Sequence, residues 1–214
     1  MSTSFTRRTR RDPAINPTKG DRRERQLLAS AEILVNRGEF DDKSVAQLAA
    51  EADLTRPTFY FYFASKQALL TALVDAALKE IMLKLTKALA APSSTPATSL
   101  RAAIAGAADA WWEHRAVMLR AVELSAAVPA IYEREMETID AVNQMCVELV
   151  MEHGSVPEAG DRSKTQALVL ALALMNERNL HHALRSCRER EDLVPTEELL
   201  HRIWTRAAGL PTAT

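Results

Sequence analysis

Apolar residues along this chain recur at spacings of three and four, and that recurrence constrains the fold more than any other feature. On a helix of about 3.6 residues per turn, such spacing builds one continuous apolar face, whereas a strand needs alternation by two. Glycine and proline number only six and nine in 214 residues, and they gather at 13–20, 92–96 and 154–160. Between those clusters no run of β-branched alternation occurs, so the chain reads as all-α.

Capping chemistry divides the pattern into about nine helices. Residues 1–20 are polar and basic, and Pro13, Pro17 and Gly20 mark them as a flexible arm. Asp21 with Glu24 has capping-box spacing, so the first helix is expected from Asp21, with Leu27, Leu28, Ala31, Leu34 and Val35 as its stripe. Gly38 supplies the left-handed stop. Ser44 with Gln47 repeats the cap for a short second helix that breaks at Ala52-Asp53-Leu54. A third helix follows Thr55, tolerates Pro57 in its first turn because that N–H has no helical partner, and closes near Phe63. Ser65 caps a fourth helix running to about Ala90. Five more are expected over 99–114, 116–127, 130–153, 163–190 and 196–208. The organisation predicted is an arm (1–20), a three-helix domain (21–68) and a larger helical domain (69–214).

The charge is unevenly placed. Residues 1–25 hold eight Lys/Arg against three acids, a net +5, so the rest of the chain carries −6 to reach the overall −1. A basic head on an acidic body suits a nucleic-acid-facing end, although a solubilising tail has the same composition. No stretch of about 18 uncharged apolar residues suggests a membrane span. The basic N-terminus runs into Asp12-Pro13 rather than an apolar segment, so no secretory signal is expected and a cytoplasmic location is the default. Cys146 and Cys187 are isolated and read as free core thiols.

The segment 44–63 carries the functional signal. Two short helices with a tight turn form a helix-turn-helix candidate, and the third helix has an unusual surface. Phe59 and Phe63 share a face and can anchor it, with Leu48 and Leu54, to a core. Thr55, Arg56, Thr58, Tyr60 and Tyr62 remain outside: hydroxyls, phenols and a guanidinium where an ordinary surface helix carries Glu and Lys. Arginine can donate two bonds to a guanine edge, and threonine and tyrosine can meet thymine methyls or phosphates. Ser44 and Lys66 sit at two helix starts, where free N–H groups and the helix dipole favour phosphate.

The run from Ser44 to Leu69, SVAQLAAEADLTRPTFYFYFASKQAL, closely resembles the N-terminal domain of TetR-family transcriptional repressors, and residues 22–75 fit that pattern. The resemblance implies double-stranded operator DNA as partner, with Ser44, Thr55, Arg56, Pro57, Thr58, Tyr60, Tyr62 and Lys66 at the DNA surface and Phe59 and Phe63 inside. Pro57 and Phe61 depart from the commonest pattern. Arg56–Phe63, Leu174–Arg178 and Ile203-Trp204 resemble the EthR-like subgroup, whose regulated pathway is not carried over.

The same resemblance implies that the C-terminal domain holds a small, largely apolar effector and pairs with a second copy into a homodimer. Trp111, Trp112, Met118, Met145, Met175, Asn176 and Trp204 are the expected effector-binding residues: flat or adaptable apolar walls with a few hydrogen-bonding groups. Plain core packing uses the same residue types. Leu168, Leu172, Leu180, Leu184, Leu199, Leu200 and Ile203 offer an apolar face to divide between core and partner. His181 and His182 are adjacent, about 100° apart on a helix, and poorly placed to share a metal. No catalytic set, metal site or cofactor motif is expected. A ligand-independent DNA-binding protein and an activator remain open alternatives. An all-α enzyme would need a convergent set of titratable groups that the sequence does not show.

Overall fold

A computed structural model describes residues 18–91 and 95–211. Among them are nine α-helices and two short 3-10 turns, with no strand. The chain divides into two compact units, Met1–Leu70 and Thr71–Thr214.

The first unit contains α1 (Lys19–Asn36), α2 (Val45–Glu51), α3 (Arg56–Tyr62) and the beginning of α4 (Lys66–Ala90). α1 starts two residues before the expected position. Thr18 is its cap: its hydroxyl accepts from the Asp21 N–H at 3.1 Å, and the Asp21 carboxylate accepts from the Thr18 N–H at 2.7 Å. Asp21 thus plays the part expected of Glu24, one turn position inside the helix. Gly20 did not break the helix because it falls in the first turn, where N–H groups have no helical partner to lose. Of the arm expected over 1–20, residues 1–17 lie outside the described residues, while Lys19 and Gly20 are helical.

Two left-handed stops shape this unit. Gly38 (φ 71°) ends α1, with the Glu39 N–H donating to the Leu34 carbonyl at 2.9 Å. Asp53 (φ 52°) ends α2 in the same way, with the Leu54 N–H donating to Ala49 at 2.9 Å and the Asp53 N–H to Ala50 at 3.0 Å. This paired pattern turns the chain sharply while satisfying two orphan carbonyls. Leu27, Ala31 and Leu34 from α1, Leu48 and Ala49 from α2 and Phe59 from α3 are buried together with Phe40, Phe63 and Leu69.

The second unit contains the rest of α4, then α5 (Pro96–Glu113), α6 (Arg115–Leu124), α7 (Pro129–His153), α8 (Arg162–Ser186) and α9 (Val194–Ala207). α7 packs on α8 and α5 on α9. Leu172, Leu180, Leu184 and Leu200, expected to be shared between core and partner face, are all buried within this unit. Leu199 and Leu174 stay about 40% exposed. Polar clamps join the helices at their edges. The Arg190 guanidinium bonds Asp109 of α5 at 2.7 Å through Nε and pairs with Glu197 of α9. At the far end of α9, Gly209 (φ 59°) follows the helix, and its carbonyl accepts from the Ser155 N–H at 3.1 Å and hydroxyl at 2.9 Å. No helix of the described residues is long and apolar enough to cross a membrane.

Candidate functional site

The surface of α3 follows from its short length and its anchoring. Thr55 caps it, accepting from the Thr58 N–H and bonding the Thr58 hydroxyl at 2.9 Å. Phe59 is completely buried and packs against Phe63, with ring centroids 6.0 Å apart. With that face committed to the core, Thr55, Arg56, Pro57 and Tyr60 are exposed, and Thr58 and Tyr62 are half-buried. The Arg56 guanidinium lies 5.6 Å from the centre of the Tyr60 ring, one helical turn away. Such a contact restrains a long side chain before anything binds it. Tyr60 in turn meets Phe59 edge-on at 5.7 Å. The result is a braced row of a guanidinium, two hydroxyls and a phenol, with Tyr62 braced separately against Phe61 at 5.0 Å.

Phe61, outside the expected contact set, is the most exposed large apolar side chain of the described residues, at 81%. Helical spacing places it on the open face, since the buried Phe59 is two residues away and so on the far side.

Ser44 and Lys66 are occupied more fully than expected. The Ser44 hydroxyl bonds the Gln47 side chain at 2.8 Å and accepts from the Gln47 N–H, closing a capping box. The Lys66 ammonium donates to the carbonyls of Asp41 at 2.6 Å and Lys43 at 3.1 Å, over the Phe40 ring. Lys66 therefore fastens the loop before α2, a role its expected phosphate contact did not include. The orphan carbonyls of that loop are the nearer acceptors.

The second unit holds a partly open cavity of about 100 Å³ between α4, α5, α6, α7 and α8. Of the residues expected there, Trp111, Met118 and Asn176 are on its wall. Trp112, Met145, Met175 and Trp204 are not. Trp112 stacks with Arg115, Met145 accepts from the Thr86 hydroxyl, and Met175 is half-buried outside the wall. Trp204 is buried in the core, and its indole N–H donates to the Asn176 side-chain oxygen at 2.9 Å. It thereby orients a wall residue without touching the cavity.

Sequence reasoning missed Glu135 and did not select Glu177 as a site residue; both line the cavity. Burial, then repulsion from Glu177, pushes the Glu135 carboxyl up to about 7, and burial raises Glu177 as well. A signal was present: Glu135 shares helical spacing with Ile131, Ile139 and Val142, so it interrupts an apolar stripe. The cysteines are buried and free. Burial pushes the Cys146 thiol up to about 12, opposite to the low value a reactive thiolate needs. Among the described residues no cluster of His, Cys, Asp and Glu has the arrangement of a metal site.

Comparisons with known proteins agree with this geometry. Residues 27–73 match the model of the bacterial regulatory proteins of the tetR family. The chain is 30% identical over 221 residues to the HTH-type transcriptional regulator EthR of Mycolicibacterium smegmatis, covering all of both chains. It is 32% identical over 165 residues to the EthR of Mycobacterium tuberculosis, covering 75% of each. A transcriptional regulator from Rhodococcus sp. Rha1 shares the fold, with a TM-score of 0.71 over 89% of this chain and 99% of that one, at 15% identity. The helix-turn-helix, its braced polar face and a full-length relative at this identity lead to one assignment: the chain belongs to the TetR family of DNA-binding transcriptional regulators.

Proposed function

We propose that this regulator is a homodimeric repressor that leaves its operator when a small effector occupies the cavity of the second unit. The observation that carries the DNA half is the α3 surface, where Phe59 is sunk in the core and Arg56 is braced on Tyr60. In this reading α3 enters the major groove, Arg56 reads a base edge, and Thr55, Thr58, Tyr60 and Tyr62 contact thymine methyls or phosphates. Pro57 and Ser44 abut the backbone, and Lys66 holds the loop that presents Ser44. Two copies would place two recognition helices on half-sites one or more helical turns apart.

The cavity supports the effector half, since a packed core has few voids larger than a water molecule. Coupling of about 1–3 kcal/mol between cavity and operator is enough for a useful switch. The exposed Leu174 and Leu199, on α8 and α9, support pairing with a second copy.

The test is fluorescence anisotropy with the intergenic DNA beside the regulator's own gene. The Arg56→Ala/Tyr60→Ala variant should lose about 2–4 kcal/mol of specific binding while its circular dichroism is unchanged. Wild-type affinity in that variant would remove α3 as the reading helix.

A further inference from the structure

The cavity wall is apolar except for a few groups, and the charged ones have a single sign. Glu135 comes from α7 and Glu177 from the neighbouring α8, and both open onto the space enclosed by Leu78, Ile81, Ile104 and Trp111. Neither carboxylate forms an ion pair among the described residues. The Ser125 hydroxyl is within hydrogen-bonding reach of Glu135. Arg178, exposed on α8, is the cation whose charge acts on both carboxyls, but it is not bonded to either. Two half-buried acids thus face a largely apolar space with no cation bonded to either, an arrangement that disfavours their ionised forms.

We propose that the cavity takes a small organic cation: a protonated amine on a short apolar body, with its ammonium held by Glu135 and Glu177 and its body against Leu78, Ile81, Ile104 and Trp111. This rests on the reading of the cavity as an effector site. An ammonium supplies a countercharge in direct contact and up to three donors for the two carboxylates. The Trp111 ring adds a surface that attracts cations. A fatty-acid carboxylate would bring a third negative charge into the same space. A neutral alcohol would fill the apolar part but leave the two acids without a bonded cation. The wall therefore discriminates by charge among ligands of equal size.

The lowered acidity of both carboxyls agrees with this arrangement, because burial penalises their charged forms and no cation is bonded to either. The size of the cavity selects a short chain or single ring.

The experiment uses the full chain at pH 8 and three probes of one chain length: hexylamine, hexanol and hexanoate. Affinities are measured by calorimetry and thermal shift for the wild type and the Glu135→Gln/Glu177→Gln variant. Hexylamine is expected to bind wild type at least about tenfold tighter than hexanol, with hexanoate weakest. The double variant should lose the preference for the amine while keeping its affinity for hexanol. Equal or tighter binding of hexanol or hexanoate to wild type overturns the charge assignment but leaves the effector cavity standing. So does amine binding that survives unchanged in the double variant, since it then takes place elsewhere. If no probe binds the wild type, both the charge assignment and the effector reading fail.

Discussion

Glu135 keeps its proton at pH values where an ordinary glutamate has lost it, with consequences that can be measured without a ligand. Its carboxyl titrates near 7 in the folded chain against about 4.5 in an exposed one, because of burial and then Glu177. A group whose folded value is raised binds its proton more tightly when folded. Its contribution is complete below about 4.5 and is lost as pH rises through 7. Glu80 runs the other way. A hydrogen bond with His114, against burial and with help from Lys84, lowers it to about 2, so its contribution is present above about 4.5 and lost as pH falls. Thermal melts between pH 4.5 and 8 should therefore show the wild type losing stability toward the alkaline end relative to Glu135→Gln, against His181 and His201, whose values burial lowers and which act in the opposite sense. Glu135→Gln should flatten that decline, and an unchanged slope would show that Glu135 is not the group responsible. The residue scale is also where the sequence misled. Phe59 inside and Tyr60 outside were legible because both follow from local helical spacing. Glu135 and Lys66 were not, since what surrounds them comes from α8 and from the loop at Asp41–Lys43, brought near only by folding.

At the scale of elements, caps were the most legible feature. Ser44 with Gln47, Thr55 and Ser65 each begin the helix that their spacing announced. The misplaced start of α1 came from two competing caps three residues apart, Thr18 and Asp21, both chemically able. The stop after α2 is made by Asp53 rather than glycine, and its short polar side chain tolerates the left-handed backbone. The junction of α7 and α9 was not legible at all. A Cβ on Gly154 would lie 2.5 Å from the Val150 carbonyl oxygen and 2.7 Å from that of Ala208, both backbone atoms that cannot step aside. Gly154→Ala should thus cost about 1–3 kcal/mol, read as a lower midpoint in urea. A midpoint at the wild-type value would mean that the two helix ends separate at no cost.

For the molecule as a whole, the apolar periodicity of α8 and α9 was easy to see but could not say which leucines belong to which neighbour. Leu172, Leu180, Leu184 and Leu200 went to this chain's own core. That leaves Leu174 and Leu199 as the exposed large apolar residues of these helices, together with Val194. If a second copy covers them, Leu174→Glu/Leu199→Glu buries charge at the interface and should yield a folded monomer by light scattering. A wild type that is itself monomeric at micromolar concentration would remove the dimer, and a variant that stays dimeric would move the interface elsewhere.

The two polar anchors of α9 bear on time as well as strength. Arg190 ties its beginning to Asp109, and Gly209 ties its end to Ser155, so neither end is free to fray. Amide protons in most helices near a chain end exchange with solvent through fraying, long before the fold opens. Those of α9 are expected to exchange only when the whole unit unfolds, with rates matching the buried centre of α8. Rapid exchange from Arg206 to Leu210 alone would show that the distal anchor opens independently.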